Sequence, residues 1–450
     1  MGLLNRLRFK GKRLLVIGLD GVPFSFLNGL LAEGKLPHWA ELVESGSFKR
    51  MNSVHPCVSS VAWASYMTGK NPGKHRIYGF VDRFPESMDV FIPTSRDMTG
   101  NTLWEILSQA GKRVVVINVP LTYPPREVNG ILISGFLGTN IDKIAYPKEV
   151  THYLKEMGYR IDVDAWKARE SLDRFLEDLY LTLDKRIEAM FHFLEREQWD
   201  FFQLHIMETD RINHFLWGLW EEGDAHYGPE FITYYQKIDD ILGRINAWLD
   251  GDTRLIVLSD HGFCGMKKEV FLNYWLQREG WLKFRGESPK SVKDIHQDSK
   301  AYSLIPGRIY VNLAGRELSG SVRFPDEYEW VSHGVEEALL GMRDPDCGEK
   351  IIEKVFKREE LYHGPHYTDG PDLVAIPRNG YDLKGNLDKK ELTFKGPLVG
   401  MHTYDDAFLY IKDVEIKKVD NQFSVVDVMP TVLKFMDVSP PEDLDGEALV

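Results

Sequence analysis

Cysteine is scarce. Cys57, Cys264 and Cys347 are the only three in 450 residues, far apart and without a CxxC pair. That excludes a disulfide framework and a zinc ribbon, and fits reduced thiols in a cytoplasmic protein. Long apolar runs are lacking as well: no stretch reaches the roughly 18 residues that span a bilayer. The N-terminal MGLLNRLRFKGK has no signal-peptide apolar centre, and Arg6 stands where a myristoylation signal needs Ser or Thr. We read this segment as a solvated lead-in rather than a basic amphipathic membrane contact. Positive charge is in deficit, 55 Lys and Arg against 68 Asp and Glu, for a net charge of -13. A nucleic-acid polymer is therefore not the expected partner, because backbone binding needs a basic surface. A small anionic substrate stays open if bound cations reverse the local sign.

What is present is an ordinary globular composition, 43% hydrophobic and 12% aromatic, without repeats or low-complexity tracts. RLLVIGL at Arg13–Leu19 followed by FLNGLLAEG, then NTLWEILSQAG followed by KRVVVINVP and GILISG, alternates strand and helix as an α/β sheet does. Ser59 or Ser60 can cap a helix running to Met67 and ended by Gly69. Apolar residues spaced by three or four from Leu172 to Leu194 predict a long amphipathic helix, and Phe231 to Leu249 another. After Gly262 the pattern loosens. GRIYVNL reads as a strand, Val335 to Met342 as a helix, PDLVAIP as a strand and KSVKDIHQDSK as the most solvated loop. The α/β core resumes with AFLYI and ends in VVDVMPTVLKFM. Although the length alone allows about three domains, we expect one core. Its first part is residues 1–263, with a helical insertion at about 140–198; an inserted α+β cap covers 264–397, and the last part of the core is 398–450.

Three apolar runs end in aspartate: RLLVIGLD at Asp20, FFQLHIMETD at Asp210 and LIVLSD at Asp260, the last followed by His261 and Gly262. An Asp before Gly is often turn chemistry alone. Three strand-end aspartates, however, converge outside the carboxyl edge of a parallel sheet, where α/β proteins bind ligands. His214 follows Asp210 by four residues, which on a helix puts both on one face. With a later histidine the inventory becomes three Asp and three His, enough for two cations. Mixed Asp and His donors suit zinc first, with manganese or iron as alternatives. Two such cations can clamp the attacking and leaving oxygens of a phosphoryl displacement. The nucleophile should then be a hydroxyl at an anion-binding helix start, which Ser59 provides.

The order of LDG, Ser59 ahead of AWASYMTGKNPGKH, ETDRINH, SDHG and GMH closely resembles the alkaline phosphatase superfamily, in particular its type I phosphodiesterase and nucleotide pyrophosphatase branch. The resemblance covers nearly all of the chain outside the two insertions. It implies an alkaline-phosphatase-like α/β core, with a mostly parallel central sheet flanked by helices. One metal would be held by Asp20, Asp260 and His261 together with the nucleophile Ser59, the other by Asp210, His214 and His402. His402 is preferred to His363 and His366 because it lies just before the final strand. His75 is read as structural, bracing the turn after the nucleophile helix.

The expected function is a two-metal phosphoesterase cutting phosphodiester or nucleotide pyrophosphate bonds through a phosphoseryl intermediate. The alternatives are a phosphomonoesterase, a phosphotransferase or mutase on the same core, and a catalytically idle metal-binding protein. The substrate would be small and phosphorylated, a nucleotide among the candidates. Ser60 and Arg211 are the candidate substrate contacts; Lys70 and Lys74 in their Gly-Pro turn are read as solvated. Trp63, Tyr66, Phe215 and Trp217 are read as core ahead of base-stacking groups. Three departures stand out. Ser59 replaces the usual Thr, Phe80 stands where the branch commonly has a phosphate-binding Asn, and Cys57 lacks the flanking residues of a sulfatase.

Overall fold

The computed structural model describes residues 12–450. The N-terminal lead-in therefore lies outside the described residues, apart from Lys12. An eight-stranded sheet organises the chain. In spatial order its strands are Gly46–Met51, Ala407–Lys412, Thr253–Leu258, Arg13–Leu19, Phe201–Ile206, Val114–Ile117, Gly130–Ile133 and Ala145–Tyr146. The five from Thr253–Leu258 to Gly130–Ile133 run parallel, while Ala407–Lys412 and Ala145–Tyr146 pair antiparallel to them. The fold is thus α/β with a mostly parallel central sheet flanked by helices.

The central strands are apolar almost throughout because both faces are covered. Leu15, Ile17, Leu19, Phe202, Leu204, Leu255 and Val257 face one core, which the helices Leu172–Arg196 and Tyr227–Trp248 close. Leu14, Val16, Phe201, Ile256 and Leu258 face the other, closed by Ser59–Thr68, Leu103–Gln109 and Val428–Phe435. Gln203 and His205 share this second face as buried polar groups. Adjacent strands end together at Leu19, Ile206 and Leu258, so the residues that follow meet at one edge.

Past Leu258 a two-stranded ribbon forms. Gly262–Gly265 pairs antiparallel with Gly400–Thr403, Phe263 opposite His402. Residues 266–399 intervene and build a four-stranded antiparallel sheet of Ala301–Leu304, Arg308–Val311, Leu373–Pro377 and Ile352–Lys357, with a core of its own under helix Asp326–Leu340. Among the described residues no helix is long and apolar enough to cross a membrane.

Several local expectations need correction. Val58, not Ser59 or Ser60, is the N-cap of helix Ser59–Thr68, and no side chain caps it. Ser59 already lies inside the helix, at its first residue, and its hydroxyl is turned toward Asp20. Gly69 does end the helix in the left-handed conformation, φ 63°. The helix expected near Val335 begins at Asp326, where Asp326, Glu327 and Glu329 give its first turn the charge that a helix N-terminus favours. The KSVKDIHQDSK loop is not the solvated one: Val292 and Ile295 are buried and anchor it.

Candidate active site

Asp20 follows the strand Arg13–Leu19 directly, and Gly21, at φ 65°, turns the chain away in a conformation that favours glycine. Thr209 donates to the Asp20 carbonyl at 2.7 Å and Asn213 to the Gly21 carbonyl at 2.8 Å. The helix Glu208–Glu221 is therefore tied to this turn. Two residues before Asp210, the buried Glu208 carboxylate accepts from Arg186 Nε at 2.8 and 3.1 Å. Removing one partner of such a pair costs about 3–5 kcal/mol, so the start of this helix is held firmly.

Two trios of ligand-type side chains result, each with its donor atoms within 4.8 Å of one another: Asp20, Asp260 and His261; Asp210, His214 and His402. In the first, Ser59 Oγ donates to Asp20 Oδ1 at 3.0 Å and lies 3.3 Å from His261 Nε2. His261 Nε2 is also 3.5 Å from Asp20 Oδ1 and 3.4 Å from Asp260 Oδ2. Gly21 N–H donates to Asp260 Oδ1, whereas Asp260 Oδ2 is buried without a hydrogen-bond partner. In the second trio His402 Nε2 stands 3.1 Å from Asp210 Oδ1 and from His214 Nε2. The stacked rings of His261 and His402, 3.8 Å apart, join the two trios.

All three histidines direct Nδ1 at a backbone carbonyl: His261 to Gly262 at 3.0 Å, His214 to Gly400 at 3.0 Å and His402 to Cys57 at 3.2 Å. That bond keeps a proton on Nδ1 and turns Nε2 into the trio, the orientation of metal-ligating imidazoles. The donor sets fit divalent cations on this ground and on the unpartnered Asp260 Oδ2. Electrostatics agree. Burial, and then the charge of Asp20, pushes the Asp260 carboxyl well above the usual range. Burial opposes a charge on His261, yet Asp260 and Asp20 outweigh it and push the ring up to about 10. Burial and then His261 hold His402 down at about 4. This many acids in a dry site call for positive charge.

The family model for type I phosphodiesterase / nucleotide pyrophosphatase matches residues 14–405. The chain belongs to this family. Membership in this phosphodiesterase family makes the protein a phosphoesterase of the alkaline phosphatase superfamily. No curated protein sequence matches it. Among solved structures it is similar to murine ectonucleotide pyrophosphatase / phosphodiesterase 5, at 16% identity and TM-score 0.57 over 96% of each chain. It is also similar to phosphonoacetate hydrolase from Sinorhizobium meliloti 1021, at 16% identity and TM-score 0.63, over 94% of this chain and 96% of that one. Both likenesses are of fold.

Around this phosphodiesterase-family site, the other singled-out residues take definite places. Ser60 is buried beside Ser59, its hydroxyl without a partner. Arg211 donates to Asp210 Oδ2 at 3.1 Å and to Asp162 Oδ2 at 2.6 Å, its guanidinium 4.7 Å over the Phe136 ring. Phe80 meets Phe136 edge-on at 5.6 Å. His363 is drawn to Asp445 and His366 lies by Thr99 and Asp369, so neither joins a trio. Lys70 and Lys74 are not free but paired with Asp443 and Asp445. His75 is buried, bonded to Ser65 Oγ and the Ile77 N–H, and braces the turn as expected. Tyr66, Phe215 and Trp217 are core. Burial pushes the Cys57 thiol up, and it donates to the Thr403 carbonyl.

Two participants escaped sequence reasoning. Trp63 Nε1 donates to Asp20 Oδ2 at 2.9 Å and His205 Nε2 to the same oxygen at 2.8 Å. The signal for His205 was an imidazole, with Gln203, inside a buried strand.

Proposed function

We propose that the protein hydrolyses phosphodiester or nucleotide pyrophosphate bonds with two divalent cations and a phosphoseryl intermediate on Ser59. The observation that carries this is the Ser59 hydroxyl, 3.0 Å from Asp20 Oδ1 and 3.3 Å from His261 Nε2 at the first residue of a buried helix. Asp20, Asp260, His261 and Ser59 would hold one cation and Asp210, His214 and His402 the other, zinc by preference and manganese as the alternative. Bound there, the cations supply charge for the attacking and leaving oxygens and lower the pKa of the hydroxyl and of the hydrolytic water.

The chain's own groups do the rest. The hydrogen bond to Asp20 orients the Ser59 oxygen; its proton passes to solvent, the oxygen attacks phosphorus as the bond to the leaving oxygen breaks, and the leaving oxygen takes a proton from solvent. Water then attacks the phosphoseryl group and regenerates Ser59. The N–H groups of Ser59 and Ser60, at a helix start where none has an intrahelical partner, take non-bridging oxygens along with the free Ser60 hydroxyl. Arg211 adds positive charge at the rim beside Asp210. A small phosphorylated substrate is supported by the similar structures. The murine protein, in an inactive form, was solved with AMP, and phosphonoacetate hydrolase with phosphonoformate.

The test is hydrolysis of bis-nitrophenyl phosphate with added zinc or manganese. Ser59→Ala is expected to drop turnover about 1000-fold or more; undiminished activity in the variant would overturn the assignment. A phosphorylated product from added glycerol would move the protein to the phosphotransferases. Preference for a monoester would make it a phosphomonoesterase. Bound cations without turnover on diester, monoester or sulfate would leave an idle metal-binding protein.

A further inference from the structure

Asp20 is the ligand-type aspartate with one oxygen bonded to two interior side chains, Trp63 and His205. Oδ2 receives the Trp63 indole N–H and the His205 Nε2–H, which fill both of its lone-pair positions. Oδ1 receives only Ser59 and faces the Asp260–His261 trio. All four side chains are buried, and the Trp63 and His205 rings meet edge-to-face at 4.7 Å. Ser59 and Trp63 are four residues apart on one helix face, so a single helix grips both oxygens of one carboxylate, one with each end of a turn. Trp63 reaches Asp20 only because residue 18 is glycine: a Cβ there would lie 2.5 Å from the indole ring. His205 comes from the neighbouring parallel strand, and Tyr66, from the Ser59 helix again, donates to Gln203 of that strand at 3.0 Å. Helix and strand are thereby registered to each other behind the carboxylate.

We propose that Trp63 and His205 are positioning residues that occupy Asp20 Oδ2, so that Asp20 offers its ion only Oδ1 and the Ser59 hydroxyl is held to that same oxygen. This rests on the cation assignment above and adds what sets its geometry. The second ligand shell of metal sites typically contributes 10- to 100-fold in affinity, and here it lies in one block on the interior side.

The experiment measures Zn2+ affinity by chelator competition in a His402→Ala background, which retains the Asp20 trio. In that background His205→Leu and Trp63→Phe are expected to weaken zinc binding at least about tenfold. His205→Gln, which keeps an N–H at the Nε2 position, should retain most of the affinity. In an Asp260→Asn background, which retains the other trio, the same substitutions should leave zinc binding unchanged. Unchanged affinity at the Asp20 trio, or equal losses at both trios, would overturn the proposal. Trp63→Phe, which keeps the ring packing, decides the matter if His205→Leu does not fold. Hydrolysis and positioning fail separately: zinc binding that depends on His205, in a protein inert toward every phosphoester, overturns the function alone. Hydrolysis with zinc binding indifferent to His205 overturns the positioning alone.

Discussion

Asp20, Asp260 and His261 have no exposed surface at all, whereas the His214 and His402 side chains keep 18% and 13% of theirs. The first trio grows from the ends of two adjacent central strands and is backed from the interior by Trp63, His205 and the Gly21 N–H. The second is assembled from a helix turn and a two-stranded ribbon, and Arg211 braces it from the rim. One trio is thus part of the core, and the other keeps a face open to solvent. In the proposed mechanism the nucleophile Ser59 is placed at the dry trio, where a charge-assisted hydrogen bond is strongest. The same mechanism assigns the leaving group to the wetter trio, where it must escape.

The largest effect should come from the dry trio. Asp260→Asn is expected to cut diester turnover about 1000-fold or more, with no recovery in excess zinc; recovery would erase the distinction between the trios. His402→Ala should lose roughly 10- to 100-fold at limiting metal and recover part of it when zinc or manganese is raised, read as kcat against metal concentration. Gly18→Ala drives a methyl group against Trp63 and should lower stability by about 1–3 kcal/mol, as overpacking does. A thermal melt checks this, and an unshifted Tm would show that the dry trio is less tightly backed than its distances imply. The smallest change is expected from Arg211→Met, about tenfold in kcat/KM with the melt little altered, because Asp210 keeps its histidine contacts. A loss as large as that of Asp260→Asn would make the rim as demanding as the interior.

Much of this arrangement was legible in the residues. Asp20, Asp260 and His261 stand directly after apolar strand runs, and Asp210 and His214 have helical spacing, so local pattern and sheet topology were enough. His402 was not local in this sense. It is placed by a pairing with Phe263 across more than a hundred residues, and only the resemblance to a family pointed to it. Trp63 and His205 were missed because a Trp in a buried helix and a His in a buried strand read as core, and their bonds to Asp20 exist only after helix and strand are packed. The edge strand Gly46–Met51 was missed for a similar reason: GSFKRM has no clean alternation, and its partner Ala407–Lys412 supplies the order. The early start of the Asp326 helix and the anchored loop at 290–300 belong to the second sheet, where short elements carry weak periodicity.

The Gly262–Gly265 and Gly400–Thr403 ribbon carries a consequence for how such a chain can change. Seen as a hairpin, it has residues 266–399 as its turn, and the whole four-stranded sheet is cargo between two paired strands. Closing a longer turn costs little, about 0.6 kcal/mol for each doubling of its length. The ribbon itself, with Phe263 locked opposite His402, holds its span whatever the turn contains. Insertions, deletions or a wholesale exchange of that cargo could alter which phosphate ester is admitted while the separation of the two trios stays constant. Substrate choice and reaction chemistry are then free to evolve on separate stretches of the same polypeptide.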